Sequence, residues 1–419
     1  MDLKKLYYKS KISGVGGRIK EIPESFIVQE IGPTGNTYYT DAVLEKSKTV
    51  ENFLHIVLQK KNWSTEDAVA RVAEALGINH KRFSWSGTKD RRAITTQLVS
   101  VFGLNEKQIE TMDKLELKDI AVLGYWGAKE KVKFGQHIGN RFKIILTDSD
   151  PDSDQLIREI YTDLGGKFPN YFGPQRFGKK NNNHIIGKRI IQGNFYEAVM
   201  LFLTETEENE KEEIASVKKE LKDTKDFKKA IESFPRNMRH EIRMLEHLNK
   251  KPVDFVGALR AIHRSVSLRF IHAYQSYLFN RVLSDNLEKI EERKQRGGER
   301  VEDSKSLNSI GDDKNFDSYC GTNSYGFPDI EQAGTAWQTS NIIGYDTKIT
   351  EEEAELLEDE NISKDDFKIR SVPELSSKGS VRTMLVPIKN FTYSNAAFTF
   401  ELPKGAYATS MLREFMDKK

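Results

Sequence analysis

The sequence predicts an α+β protein in which a helix-rich block interrupts a strand-rich one. Three observations carry this prediction. Short apolar runs of strand type occupy the first part of the chain, and the last segment repeats their style. Between them, apolar residues recur near every third or fourth position among many charges, which is a helical pattern. The chain has 419 residues, too many for one ordinary compact domain, so an insertion of one domain into another suits its length.

The elements follow in order. Ser25 to Glu30 and Asn52 to Lys60 read as strands. Ser64 opens a helix, with Asp67 three residues on as a capping-box partner. Its apolar face is Ala68, Val69, Val72, Ala73 and Leu76, and Gly77 stops it. Ile94 to Phe102 and Arg141 to Thr147 are further strands. Lys211 to Phe234 reads as one charged helix that Pro235 ends, and Val253 to Leu287 as one long helical stretch. Residues 291 to 315 are polar and rich in Gly, Ser and Asp, so they read as a loop. Thr350 to Asp366 is strongly acidic. Val381 to Ile388 and Ala396 to Leu402 return to strands, with Phe398, Phe400 and Leu402 on one face, and Ala408 to Met416 is a terminal helix. These readings place one domain at 1–165 and 384–419, and an inserted domain at 166–383. There is no internal repeat.

Composition excludes several classes. Hydrophobic residues at 37% can build a core, and charged residues at 31% argue for a well-solvated surface. A net charge of only +2 does not by itself point to nucleic acid, so any such case rests on local basic clusters. No apolar run approaches the ~20 residues that a membrane span needs. Met1-Asp2-Leu3-Lys4-Lys5 lacks the apolar segment of a signal peptide, and the single cysteine, Cys320, has no internal partner. A reducing cytoplasm is the expected location.

Five segments are candidates for chemistry. In Gly87-Thr88-Lys89-Asp90-Arg91-Arg92, one acid stands among three cations just before a strand. Nearby positive charge keeps a carboxylate ionised and draws in phosphates, although a solvated charged turn is the commoner meaning of such a run. Arg18-Ile19-Lys20 leads through Pro23 into the strand that Phe26 begins, so Lys20 could pair with a distant Asp, or be an edge-strand lysine beside a core phenylalanine. His137-Ile138-Gly139-Asn140 offers in Asn140 both a donor and an acceptor for a base edge, or a turn residue before a strand. Asn170 to Lys180 interleaves aromatics with Arg, Lys, Gly and Asn, as single-stranded RNA contacts require and as a structural aromatic turn also would. Tyr407, after Gly405 at a strand-to-helix turn, could project into a cleft or cap the last helix from the core. Other chemistries lack their motifs: Gly14-Val15-Gly16-Gly17 is not followed by a βαβ unit, there is no phosphate-binding loop, and the eight histidines are scattered, so no metal site is expected.

Taken in this order, the segments resemble one family, tRNA pseudouridine synthase D (TruD). Gly87 to Gln97 is similar to its catalytic-aspartate motif, and Asn170 to Gly178, Ala273 to Asn280 and Leu402 to Glu414 resemble three further hallmarks. The resemblance spans nearly the whole chain, while residues 291 to 366 match nothing useful. It implies a pseudouridine synthase fold with a mixed, largely antiparallel sheet, plus an inserted α/β TRUD-type domain. It implies an isomerase acting on tRNA, with uridine 13 as the usual target; because that reaction oxidises nothing and imports no bond energy, no cofactor is expected, and the protein is expected to be a monomer. Asp90 carries over as the catalytic residue; Lys20, Phe26, Asn140 and Tyr407 carry over as pocket residues. Some members have Phe where this chain has Tyr407, so the stack carries over and the hydroxyl does not. Two rivals are an RNA-binding protein without catalysis, which would be expected to lack the acid, and a metal-dependent nuclease, which would need paired carboxylates or histidines.

Overall fold

The structure, a computed structural model, describes residues 1–47, 49, 51–149, 153–207, 210–295 and 319–417. Its contacts divide the chain into two compact units. A helical unit comprises Met1–Tyr7, Tyr171–Gly321 and Ala333–Met384; a sheet unit comprises Tyr8–Asn170, Thr322–Gln332 and Leu385–Lys419. The sequence reading breaks the chain after 165 and 383, and the structure breaks it after Asn170 and Met384. It also assigns the segments Met1–Tyr7 and Thr322–Gln332 to units that their neighbours in sequence do not suggest.

The sheet unit is built on eight strands. Seven lie in the order Lys389–Ser394, Ala397–Pro403, Gly139–Ile145, Phe26–Ile31, Ile94–Phe102, Phe53–Lys61 and Ile120–Ala128, and Phe83–Trp85 pairs with Ile94–Phe102. One pairing, Phe26–Ile31 with Ile94–Phe102, is parallel; the others are antiparallel. The sheet is thus mixed and largely antiparallel. The parallel pair has a consequence for function. Ile27 lies opposite Ile94, so both strands start at the same end of the sheet. The segments that lead into them, 20–25 and 87–93, are delivered to the same place.

Residues opposite each other in register share a face, and alternate residues along a strand return to it. On one face Phe26, Val28, Phe142, Ile144, Phe398 and Phe400 form a core with the terminal helix Ala408–Met416 and the helix Ser153–Asp163. Leu54, Ile56, Leu58, Val99 and Val101 form a second core under the helix Thr65–Ala75, which Ser64 caps by accepting from the Asp67 amide. Between the two cores the same face carries Glu30, Lys60, Thr95 and Gln97, all buried. Four polar side chains in a row, out of water, need partners.

In the helical unit, Asn183–Ile191 packs on the long helix Arg264–Gln295. A Cβ at Gly187 would stand 2.1 Å from the Phe270 carbonyl oxygen, so only glycine permits this approach. Several expected elements are interrupted. The charged helix is two, Glu212–Thr224 and Phe227–Ser233, because Lys225 turns left-handed at φ 55° and Asp226 caps the second by accepting from the Lys229 amide. The long helical stretch is Phe255–Ala261 followed by Arg264–Gln295, with Ile262 extended between them. Residues 291–295 of the expected loop belong to that second helix; from 296 to 315 the expectation lies outside the described residues. The acidic stretch folds as Glu351–Asp359 under a Thr350–Glu353 capping box, where first-turn acids meet the positive end of the helix. Val381–Ile388 is not one strand: Ser380–Thr383 pairs with Trp337–Ile342 in the helical unit, and Leu385–Pro387 pairs with Lys167–Pro169 in the sheet unit. Among the described residues no helix is long and apolar enough to cross a membrane.

Candidate active site

Asp90 lies on the loop between Phe83–Trp85 and Ile94–Phe102, above the buried polar row. Nearly every part of this loop is tied down. The Ser86 hydroxyl donates to Glu30 at 2.8 Å, and the Gly87 carbonyl accepts from the Gln97 amide at 3.0 Å. The Lys89 backbone N–H donates to Thr65 Oγ1 at 3.1 Å, and Thr65 donates in turn to Gln97 at 2.9 Å. The Lys89 ammonium pairs with Glu30 at 2.6 Å, with both side chains under 5% exposed. Glu30 also accepts from the Leu98 amide at 3.1 Å, so the buried charge pair is well supplied with hydrogen bonds. Three residues of the row, Glu30, Lys60 and Gln97, are therefore anchors of the loop, with Thr65 beside them.

Two ammonium groups reach Asp90 itself. Lys20 Nζ stands 2.9 Å from Oδ1, with side-chain exposures of 22% and 33%. Lys60 Nζ donates to the Asp90 carbonyl oxygen at 2.8 Å from a buried position. Burial pushes the Lys60 ammonium down to about 8; the Asp90 charge opposes that shift, and Lys89 adds to it. Lys20 has a left-handed backbone, φ 62°, a conformation that costs energy in a non-glycine residue and that the surroundings must hold. Its ammonium also lies 3.8 Å from the centre of the Phe26 ring. Lys20, Phe26 and Asp90 are thus brought into one cluster by the parallel strand starts.

The other two candidates sit differently. Asn140 lies opposite Glu30 in the sheet, and its Oδ1 is buried and accepts no hydrogen bond from the described residues. The strand there requires Gly139, since a Cβ would stand 2.4 Å from the Leu402 carbonyl oxygen. Tyr407 is half-buried at the start of the terminal helix, after the positive-φ Gly405, and its carbonyl accepts from Ser410 and Met411. Phe26 is buried, and its ring meets Lys20 and the edge of Phe142.

Two of the cations that flank Asp90 in sequence are committed elsewhere. Lys89 is committed to Glu30, and Arg92 donates to the Glu21 carbonyl at 2.7 Å. Sequence reasoning gave no role to Glu30, Lys60 or Thr65, and none to Gln97, which closes the Asp90 motif. A signal existed: Leu54, Ile56 and Leu58 point Lys60 inward by alternation, and Phe26 and Val28 do the same for Glu30. His137, which the sequence reading places beside Asn140 without a role, lies against Gly87; burial, with Lys89 and Lys404 beside it, pushes it down to about 3, so its imidazole is neutral. Among the described residues no cluster of three or more His, Cys, Asp or Glu could hold a metal ion.

Comparisons with known proteins agree on one family. The sequence profile described as tRNA pseudouridine synthase D (TruD) matches residues 2–415. The chain is similar to a probable tRNA pseudouridine synthase D of Methanosarcina acetivorans, at 32% identity over 98% of this chain and 94% of that one. It is 33% identical to a probable tRNA pseudouridine synthase D of Thermococcus sibiricus over 99% of each chain. The crystal structure of the putative tRNA pseudouridine synthase D (TruD) from Methanosarcina mazei superposes with a TM-score of 0.71 at 29% identity, covering 98% of this chain and 95% of that one.

Proposed function

The chain belongs to the tRNA pseudouridine synthase D family, and from that premise we propose that Asp90 is its catalytic residue and uridine 13 of tRNA its target. The enzyme is an isomerase that converts uridine to pseudouridine. The observation that carries the proposal for Asp90 is its setting: a carboxylate one-third exposed, ion-paired with Lys20, on a loop that buried partners hold from below.

The chemistry asks for such a group. A base inside a helix is out of reach, so the target uridine must leave the stack. The glycosidic bond to nitrogen breaks, the base turns, a bond forms from the sugar to a ring carbon, and that carbon loses its proton while the freed nitrogen gains one. Asp90 supplies an electron pair, either to the sugar carbon or to one of its protons, and both roles require the anion. Lys20 holds the carboxylate in place, and the Phe26 ring backs the ammonium. A ring stacked on Tyr407 is held by its face and stays free to turn. The unpartnered Asn140 Oδ1 offers an acceptor to the uracil N–H. Nothing is oxidised and no bond energy is imported, so this chemistry calls for neither metal nor cofactor, and we read the protein as acting alone, as a monomer. The test is to incubate it with an unmodified tRNA transcript and map pseudouridine by carbodiimide-blocked primer extension. A new stop at position 13 is expected; no stop, or one elsewhere, would overturn the proposed target.

A further inference from the structure

Beside the Asp90 loop a second loop presents a feature that packing does not explain. Phe134 is 87% exposed. Single exposed apolar residues are ordinary, but this one stands on a turn that is fastened on both sides. Before it, the buried Val132 donates its N–H to Ser100 Oγ at 2.9 Å, and His55 Nε2 lies 2.8 Å from the Glu130 carbonyl oxygen. After it, Gly135, at φ 76°, donates to the Ser86 carbonyl at 2.7 Å and accepts from the Lys404 ammonium at 2.8 Å. Lys133 and Gln136 close the turn: the Lys133 N–H donates to Gln136 Oε1 at 2.8 Å, and the Gln136 N–H donates to the Lys133 carbonyl at 3.2 Å. The backbone is thus fixed against Ser86, four residues from Asp90, while the ring has water around it.

The surrounding charge is positive. Lys129, Lys131 and Lys133 are exposed on the same loop, and the exposed Lys404 reaches it at Gly135; Glu130, also exposed, pairs with Lys133 at 3.0 Å. A surface pair of this kind is weak and exchanges readily for a phosphate. An aromatic face among exposed lysines is the arrangement by which proteins hold unstacked bases, the ring taking the base and the cations the backbone. A flipped nucleotide leaves its neighbours with a bare face.

We propose that Phe134 is a stacking finger, which takes the face of an RNA base next to the uridine that reacts. This rests on the reading of the protein as an enzyme that flips a uridine beside Asp90. The finger needs no movement of its own, because its turn is already fastened to the Asp90 loop.

The experiment measures equilibrium binding and single-turnover isomerisation of an unmodified tRNA transcript by wild type, Phe134→Ala, Phe134→Leu and Phe134→Trp. The Ala and Leu variants are expected to bind roughly tenfold more weakly, and Trp to stay within about threefold of wild type. Because no charge is removed, the slope of log Kd against log salt should be that of wild type in all three, whereas Lys131→Ala should lower it by about one. Melting temperatures should not change, since Phe134 is 87% exposed. If Ala or Leu binds as wild type does, or if Leu serves as well as Trp, the finger is overturned while the enzyme reading stands. If wild type itself neither binds nor modifies the transcript, both fall.

Discussion

Two basic runs look alike in the sequence and do opposite things in the fold. Lys89-Asp90-Arg91-Arg92 belongs to the sheet unit, and Lys179-Lys180 with Lys188-Arg189 belongs to the helical unit. At the first, ammonium groups from distant positions, Lys20 and Lys60, converge on one acid. At the second, three of the four cations have other partners. Lys180 donates to the Phe202 carbonyl, Lys188 pairs with Glu360 at 2.6 Å, and Arg189 pairs with Glu197 at 2.8 Å. Glu360 also accepts from the hydroxyls of Tyr274 and Tyr277. A basic run predicts a site only when its cations lack nearer acids, and spacing alone does not reveal which case holds.

The comparison breaks most visibly at Asp90. Asp90→Asn keeps the shape and the Lys60 contact to the backbone while removing the anion. It should cost roughly a thousandfold or more in single-turnover rate with little change in melting temperature. A variant with near-normal turnover would remove Asp90 from the chemistry.

Glu30→Gln tests whether the buried row is the anchor. It leaves the Lys89 ammonium buried without its counter-charge, at a cost of about 3–5 kcal/mol. Melting temperature and activity should fall together. A variant as stable as wild type would mean that the row is not needed to hold the loop.

The counterpart in the helical unit is Lys188→Met. Glu360 keeps two tyrosine hydroxyls and is partly exposed, so the loss should be smaller, about 1–2 kcal/mol. Turnover per folded molecule should match wild type. A drop in turnover without a drop in stability would show that this run is not merely structural.

The smallest effect is the pH dependence of Lys60. Its ammonium, pushed down to about 8, releases its proton in the folded enzyme before it does so in the unfolded chain, near the ordinary lysine value of 10.4. Between those two values the unfolded state binds more protons, so this group's contribution to stability rises with pH. Activity should do the reverse, falling above about 8 as the donor to the Asp90 carbonyl loses its charge. Lys60→Arg, which keeps its charge, should extend the active range upward, and Lys60→Met should have lost it throughout. Identical alkaline limbs in wild type and Lys60→Arg would assign the limb to another group. The groups that face Lys60 are Asp90, Lys89 and Glu66.

How much of this was legible beforehand varies by element. The strand Ile94–Phe102 is found to the residue, although it is buried on both faces and its apolar residues do not alternate. Where helices end is less legible. Lys225 and Ile262 interrupt what read as continuous helices, since one left-handed or extended residue leaves no mark in the apolar period. Of the site, Asp90 and Lys20 stand in segments that read as candidates. Gln97 closes the Asp90 segment without a role of its own there, and Glu30, Lys60 and Thr65 lie outside the candidate segments, because a polar residue inside a strand or at a helix start means little until its partners are known.

The sequence by itself determined the composition of the strands and helices, the order in which a helix-rich block interrupts a strand-rich one, and the presence of one acid among cations ahead of a strand. These are local quantities: periodicity, turn chemistry and charge along a few neighbouring residues. Only the tertiary structure decided which cation meets Asp90. Lys20 is 70 residues away in sequence and arrives because two parallel strands begin at the same end of the sheet. Only the fold decided that Lys60 is buried beneath the loop, that Lys188 is spent on Glu360, and that Phe134 stands in water. Pairing across long separations depends on which strands become neighbours, and that follows from the burial of whole faces rather than from any one segment.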